Sequence, residues 1–340
     1  MPLTIYITRD FDQMSKVAAD LVEGDIIKKL ALQENYVLGL ATGNSPTGLY
    51  KHLAKSFNSG RIDSGKIRTF NLDEYVGLPG ADPQQRILDR RSYAFFMIAE
   101  FFGLLYKKFP ETNLPPAALI DQNALISALN EFPEQYEFLG DGKGQAVYLK
   151  NNVSGFLRMI RKEMLEAYEQ KIEQAGGIDL QIIGVGGRGH VAFHESGIPF
   201  ENSRMMLVKL DENTISNAVA DGNFSSIEEC PRYAVSMGAE LVYQARTVLL
   251  LANGPRKKEP VAESLLGPVS CEVPISYSQQ YSASGGRMVY VLDEQAAQGI
   301  LDSAQVLETK GYSMVDMRSE KCCRVEDLKF TRNPVNNMLG

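Results

Sequence analysis

The run Gly184-Val185-Gly186-Gly187-Arg188-Gly189-His190-Val191-Ala192-Phe193-His194-Glu195 follows directly on the apolar stretch Ile178-Asp179-Leu180-Gln181-Ile182-Ile183. A short apolar run closed by glycines reads as a buried strand, and a glycine-rich turn at its end falls where an α/β sheet delivers its strand ends to a ligand crevice. His190 and Glu195 are five residues apart, close enough for both side chains to face one bound molecule. Taken alone, the pattern equally fits a glycine-rich connection whose histidine happens to lie near a glutamate. A second stretch shifts the balance: Thr69-Phe70-Asn71-Leu72-Asp73-Glu74-Tyr75 is another apolar strand that ends on adjacent carboxylates, before the turn Gly77-Leu78-Pro79-Gly80. Two strand ends carrying acid/base groups point to chemistry.

Working outward, short apolar or β-branched runs alternate with helical patterns at 3–8, 36–41, 66–72, 178–185, 205–210, 247–252 and 287–292. The alternation predicts an α/β fold: a doubly wound, mostly parallel, Rossmann-like sheet with helices on both faces. Residues 14–32 and 153–175 read as its longest helices. The rhythm breaks over residues 110–152, where Pro115-Pro116 and Asp141-Gly142-Lys143-Gly144 flank an amphipathic piece at 124–132. That segment is expected to be an insertion, either a lid or oligomer contact or a passive surface excursion. The expected organisation is one α/β domain over 1–310, then an irregular tail over 311–340.

With 340 residues and 44% hydrophobic composition, the chain can bury a large core. A net charge of −7 and only short basic runs, Arg90-Arg91 and Arg256-Lys257-Lys258, argue against nucleic acid as a partner. No run of eighteen apolar residues occurs, so no membrane association is expected. Cys230, Cys271, Cys322 and Cys323 show no zinc-type spacing and no bridge-like pairing, which fits reduced thiols in a cytoplasm. Neither a metal nor a cofactor is expected, and homo-oligomerisation is left open.

A third stretch concerns anions. Val37-Leu38-Gly39-Leu40-Ala41 reads as a strand, and Thr42-Gly43-Asn44-Ser45-Pro46-Thr47-Gly48 as the entry to a helix, with Ser45 suited to cap it and Pro46 to occupy its first position. A small-residue turn at a helix N-terminus offers free backbone N–H groups to a phosphate. It matches neither the Walker nor the dinucleotide pattern, so no nucleotide is inferred.

The runs Leu38 to Pro46, Phe70 to Pro79 and Gly189 to Glu195 together resemble the glucosamine-6-phosphate deaminase (isomerase) family, whose fold is shared with 6-phosphogluconolactonases. The resemblance covers most of residues 1–110 and 153–305, and Asn71 to Pro79 is closer to the deaminase branch. It implies ring opening of a hexosamine 6-phosphate, proton transfer from C2 to C1 and loss of ammonia. By the same resemblance, Asp73 matches the base for that proton transfer, His190 and Glu195 the ring-opening pair, Thr42, Gly43, Asn44 and Ser45 the phosphate loop, and Lys257 a phosphate-binding lysine. Glu74 and Arg188 are candidate specificity residues.

Two positions depart from the family pattern. Arg188 stands where the family has an aspartate that orients the histidine. Two readings stay open for it: pairing with Glu195, or binding an anionic group that the usual amino sugar lacks. After Leu210 the chain reads Asp211-Glu212-Asn213-Thr214-Ile215-Ser216-Asn217-Ala218-Val219-Ala220-Asp221, without the family's phosphate arginine, so phosphate affinity rests on other residues, with Arg256 a possible replacement. Lactone hydrolysis, isomerisation of another sugar phosphate, and a non-catalytic sugar-phosphate sensor are the alternative functions. His52 and His194 are expected to be structural.

Overall fold

A computed structural model describes residues 3–142 and 144–330. Among these, the strands in chain order are β1 (Leu3–Thr8), β2 (Tyr36–Leu40), β3 (Ile67–Asn71), β4 (Asp73–Val76), β5 (Glu111–Asn113), β6 (Tyr136–Leu139), β7 (Gln145–Leu149), β8 (Leu180–Ile183), β9 (Met205–Lys209), β10 (Tyr233–Met237), β11 (Thr247–Ala252), β12 (Arg287–Asp293) and β13 (Ser313–Asp316). Eight of them form one sheet in the order β13-β1-β12-β11-β8-β2-β3-β5, and every pairing in it is parallel. Consecutive residues of β12, Met288 to Leu292, are all buried, as a strand covered on both faces must be. The first helix, α1 (Phe11–Leu30), and the Tyr277–Ala283 helix both pack on it.

The order contains a switch point. From β2 the chain steps outward through β3 to β5, then returns to β8 on the other side of β2 and proceeds through β11 to β12. The loops leaving β2 and β8 therefore diverge and leave a crevice at their C-terminal ends.

The Asp73 carboxylate does not terminate a strand of this sheet, as its sequence context suggested. β3 stops at Asn71, and Leu72 joins two sheets: its N–H donates to the Leu40 carbonyl, while its own carbonyl accepts from Met237 N–H. Asp73 then opens β4, an edge of a second, wholly antiparallel sheet ordered β4-β10-β9-β7-β6. The expected strand at 205–210 also belongs there, as β9. Period-2 reading cannot detect a change of sheet when both halves are buried.

Residues 110–152 are woven into both sheets instead of standing apart from them. β5 closes one edge of the parallel sheet, and the β6–β7 hairpin extends the second. The tail also differs from expectation. β13 pairs with β1, after which Arg318 and Glu320 carbonyls accept from Arg9 and Val325 N–H donates to Asp12. Residues 331–340, part of the expected tail, lie outside the described residues. α1 begins earlier than expected because Asp10 caps it by accepting from Gln13 N–H. The 155–174 helix is interrupted by a wider turn at Ile160–Glu166. No helix among the described residues is long and apolar enough to cross a membrane.

Candidate active site

A cavity of about 480 Å³ opens at the switch point, a size suited to a small metabolite. The loop after β2 contributes Ala41 to Pro46, the loop after β8 contributes Gly184 to Gly187 and His190, and the loop after β11 contributes Asn253 to Lys257. Leu72 and Asp73 enter from the sheet junction, and Thr214, Asn217, Ala218 and Asp221 from the Glu212–Ala220 helix and its end. Thr42, Gly43, Asn44, Ser45, Asp73, His190 and Lys257, singled out from sequence, thus line one space. Glu74, Arg188 and Glu195 do not.

At one end, loops and cations gather. Ser45 does not cap the following helix, α2 (Thr47–Asn58), whose cap position is held by Pro46 without a side-chain bond. The Ser45 hydroxyl instead donates to Asn253 Oδ1 at 2.6 Å, tying the β2 loop to the β11 loop. Lys257 Nζ donates to the Val185 carbonyl at 2.7 Å, and burial, with Arg256 beside it, lowers the ammonium's pKa.

The other end carries acids. Asp73 is 5% exposed, and its carboxyl receives one long bond, from the Thr42 hydroxyl at 3.4 Å. Desolvation and then the neighbouring Glu74 charge push its pKa up to about 8, against the smaller opposing effect of Thr42. Glu74, next in the same strand, is aimed the other way by the pleat. It accepts from the N–H groups of Tyr75, Tyr93 and Ala94, the last two in the first turn of the Tyr93–Glu100 helix. Burial raises it to about 7 in spite of those three bonds. Glu74, a candidate specificity residue from the sequence, thus stands outside the cavity lining and holds a helix N-terminus behind it.

His190 depends on a glycine. A Cβ on Gly186 would lie 1.8 Å from the imidazole Nε2, so any side chain there would displace the ring. Imidazole Nδ1 lies 3.5 Å from Glu195 Oε2. Glu195 is 2% exposed; its Oε1 accepts from Asp211 N–H at 3.3 Å and its Oε2 from the Thr214 hydroxyl at 3.0 Å. Behind it stands the β6–β7 turn, since a Cβ on Gly144 would lie 2.6 Å from Glu195 Cβ. The carboxylate is thus buried with three polar contacts, and it supports His190 from outside the cavity lining.

Arg188 does not pair with Glu195. Its Nη1 reaches Asp211 Oδ2 at 3.3 Å, and it stands outside the cavity lining with its side chain 46% exposed. Sequence reasoning missed Asp211 and Thr214, although Asp211 caps the helix by accepting from Asn213 N–H and that cap was legible from residue types. It also missed an aromatic wall, Tyr75, Tyr93 and Phe193, in which the last two stack with centroids 6.0 Å apart. His194 is structural: Nδ1 accepts from Ala239 N–H, Nε2 bonds the Ile198 carbonyl, and burial drops its pKa to about 4. His52 is buried on α2. Among the described residues, no group of three or more His, Cys, Asp or Glu is placed to hold a metal ion.

No protein-family model matches the chain. Among curated proteins, it is 35% identical to glucosamine-6-phosphate deaminase of Clostridium acetobutylicum over 295 residues, which cover 87% of this chain and 99% of that protein. It is 33% identical to the enzyme of the same name from a Thermoanaerobacter species over 300 residues, 88% of this chain and 96% of the relative. Among solved structures, a monomeric glucosamine-6-phosphate deaminase superposes with a TM-score of 0.63 at 24% identity, covering 87% of this chain and all of that one. The 6-phosphogluconolactonase of Leishmania guyanensis does so with a TM-score of 0.56 at 17% identity, over 88% and 99%. The structural likenesses establish the shared fold.

Proposed function

The chain belongs to the glucosamine-6-phosphate deaminase family, and from that premise we propose that it converts glucosamine 6-phosphate and water to fructose 6-phosphate and ammonia. The observation that carries this reading is the placement of Asp73 and His190 in one cavity with the Thr42–Ser45 loop and Lys257.

The loop and Lys257 hold the phosphate. His190, steadied by Glu195, carries the proton that must move between the ring oxygen and the C1 hydroxyl as the pyranose opens. Asp73 then takes the C2 proton and returns it to C1, which leaves an iminium at C2; water adds there and ammonia departs. A base for this step should titrate near the working pH, and a carboxyl raised to about 8 does so. A carboxylate in water would be too weak a base. Metal and cofactor have no assigned part. Four cysteines without a disulfide support a reducing, cytoplasmic setting.

Ammonia release from glucosamine 6-phosphate by the purified chain is the direct test. Release that Asp73→Asn abolishes is the expected result. An intact wild type that releases ammonia from no hexosamine phosphate would sink the proposal.

A further inference from the structure

Two arginine–aspartate pairs meet the Glu212–Ala220 helix, one at each end. Its N-cap, Asp211, takes Arg188, and its C-cap, Asp221, takes Arg256 at 2.9 Å. The first pair stands outside the cavity lining. Both members of the second line the cavity, together with Asn44, Ser45 and Lys257.

An aspartate at the end of a cavity that receives a phosphate dianion is unfavourable unless its charge is compensated. Arg256 supplies the compensation with Nη2 alone. Its Nε and Nη1 have no partner among the described residues, and its side chain is 69% exposed. A guanidinium presents five N–H donors in a fixed plane and can serve two anions at once. Lys257 brings a charge that burial disfavours and already donates to the Val185 carbonyl.

We infer that Arg256 is a second cation of the phosphate subsite, binding the substrate phosphate through its free edge while its Nη2 stays on Asp221. The phosphate then ties the β11 loop to the C-terminal end of the Glu212–Ala220 helix, whose Thr214 holds Glu195. A sugar without phosphate leaves that link unmade, so discrimination for phosphorylated sugars lies here. The inference rests on the proposed phosphate reading of this end of the cavity.

The test is calorimetric titration of the full chain with inorganic phosphate, beside KM and kcat for glucosamine 6-phosphate, in Arg256→Gln, Asp221→Asn and the double variant. Arg256→Gln should weaken phosphate binding and raise KM about 10- to 100-fold, the loss of a charge-assisted hydrogen bond, with kcat changing less than KM. Asp221→Asn should tighten phosphate binding. The double variant should stay as weak as Arg256→Gln. Recovery of wild-type affinity in the double variant would show that Arg256 only neutralises Asp221, and would overturn the inference, as would unchanged phosphate affinity in Arg256→Gln. The titration needs no turnover, so a chain that binds phosphate through Arg256 yet releases no ammonia would refute the proposed reaction and leave this inference standing.

Discussion

The two ends of the cavity are built by different means. The proposed phosphate end is made of loops after β2 and β11 of the parallel sheet, so each lining residue there lies within a few positions of a strand end. The acid end is assembled from the sheet junction at Leu72, the loop carrying His190, and a helix that begins at Glu212. The first end needs donors and positive charge, which strand-end loops offer to any ligand. The second needs carboxyl groups kept out of water, and only packing from several elements does that.

If the acid end carries the reaction, damage there should fall on kcat. The largest effect is expected for Asp73→Asn, which should lower kcat by about 10³-fold or more, at the upper part of the range for a general base. The same substitution should stabilise the fold. Asp73 is raised from 3.8 to about 8 on folding, so its contribution to stability is present below pH 3.8 and is lost as pH rises through about 8. Thermal unfolding should therefore show Asp73→Asn above wild type at pH 8.5, with the gap closing in acid. Equal melting at both pH values would mean that Asp73 is not desolvated.

Next in size, Glu195→Gln should cost about 10²-fold in kcat with a smaller change in KM, while Lys257→Ala at the opposite end should act chiefly on KM. Steady-state kinetics of the two variants would break the comparison if both shifted the same parameter.

The pH profile sharpens it further. Wild-type kcat/KM should rise with pH through about 8 as Asp73 ionises. Glu74→Gln should move that acidic limb to lower pH, because the Glu74 charge raises Asp73 and the substitution removes it. A limb that stays in place would show that burial alone sets it.

The smallest effect is expected for Arg188→Ala. Its pair with Asp211 is half exposed on the arginine side, and such pairs are worth about 0–1 kcal/mol, so kcat/KM should fall by no more than about 5-fold with an unmoved pH profile. A displaced profile would mean that Arg188 acts on His190 or Glu195 after all.

Much of the loop end of the cavity was legible, because a strand followed by Gly43 to Pro46 and a loop with Lys257 are local signals. Even there, the bond made by Ser45 was misread: helix-cap chemistry is a local rule, and the hydroxyl goes to Asn253, 208 residues away. At the other end, the Asp73-Glu74 pair was legible as chemistry but not as two destinations. Which carboxyl faces the cavity depends on where the chain changes sheets, and no residue type marks Leu72 as that point.

The order of buried strands, the glycine turns and the acid/base residue types were determined by the sequence itself, since hydrophobic runs and turn residues act over a few positions. Tertiary structure alone decided the second sheet, into which residues 136–139 and 145–149 fold beside Glu195, the strand formed by Ser313–Asp316, and the pairing of Arg188 with Asp211 in place of Glu195. These are contacts between segments separated along the chain, and a local pattern of apolar and polar residues marks a strand without marking its partner, so no periodicity foretells which will meet. The raised pKa of Asp73 is of the same kind, because desolvation belongs to the packed cavity and not to the residue.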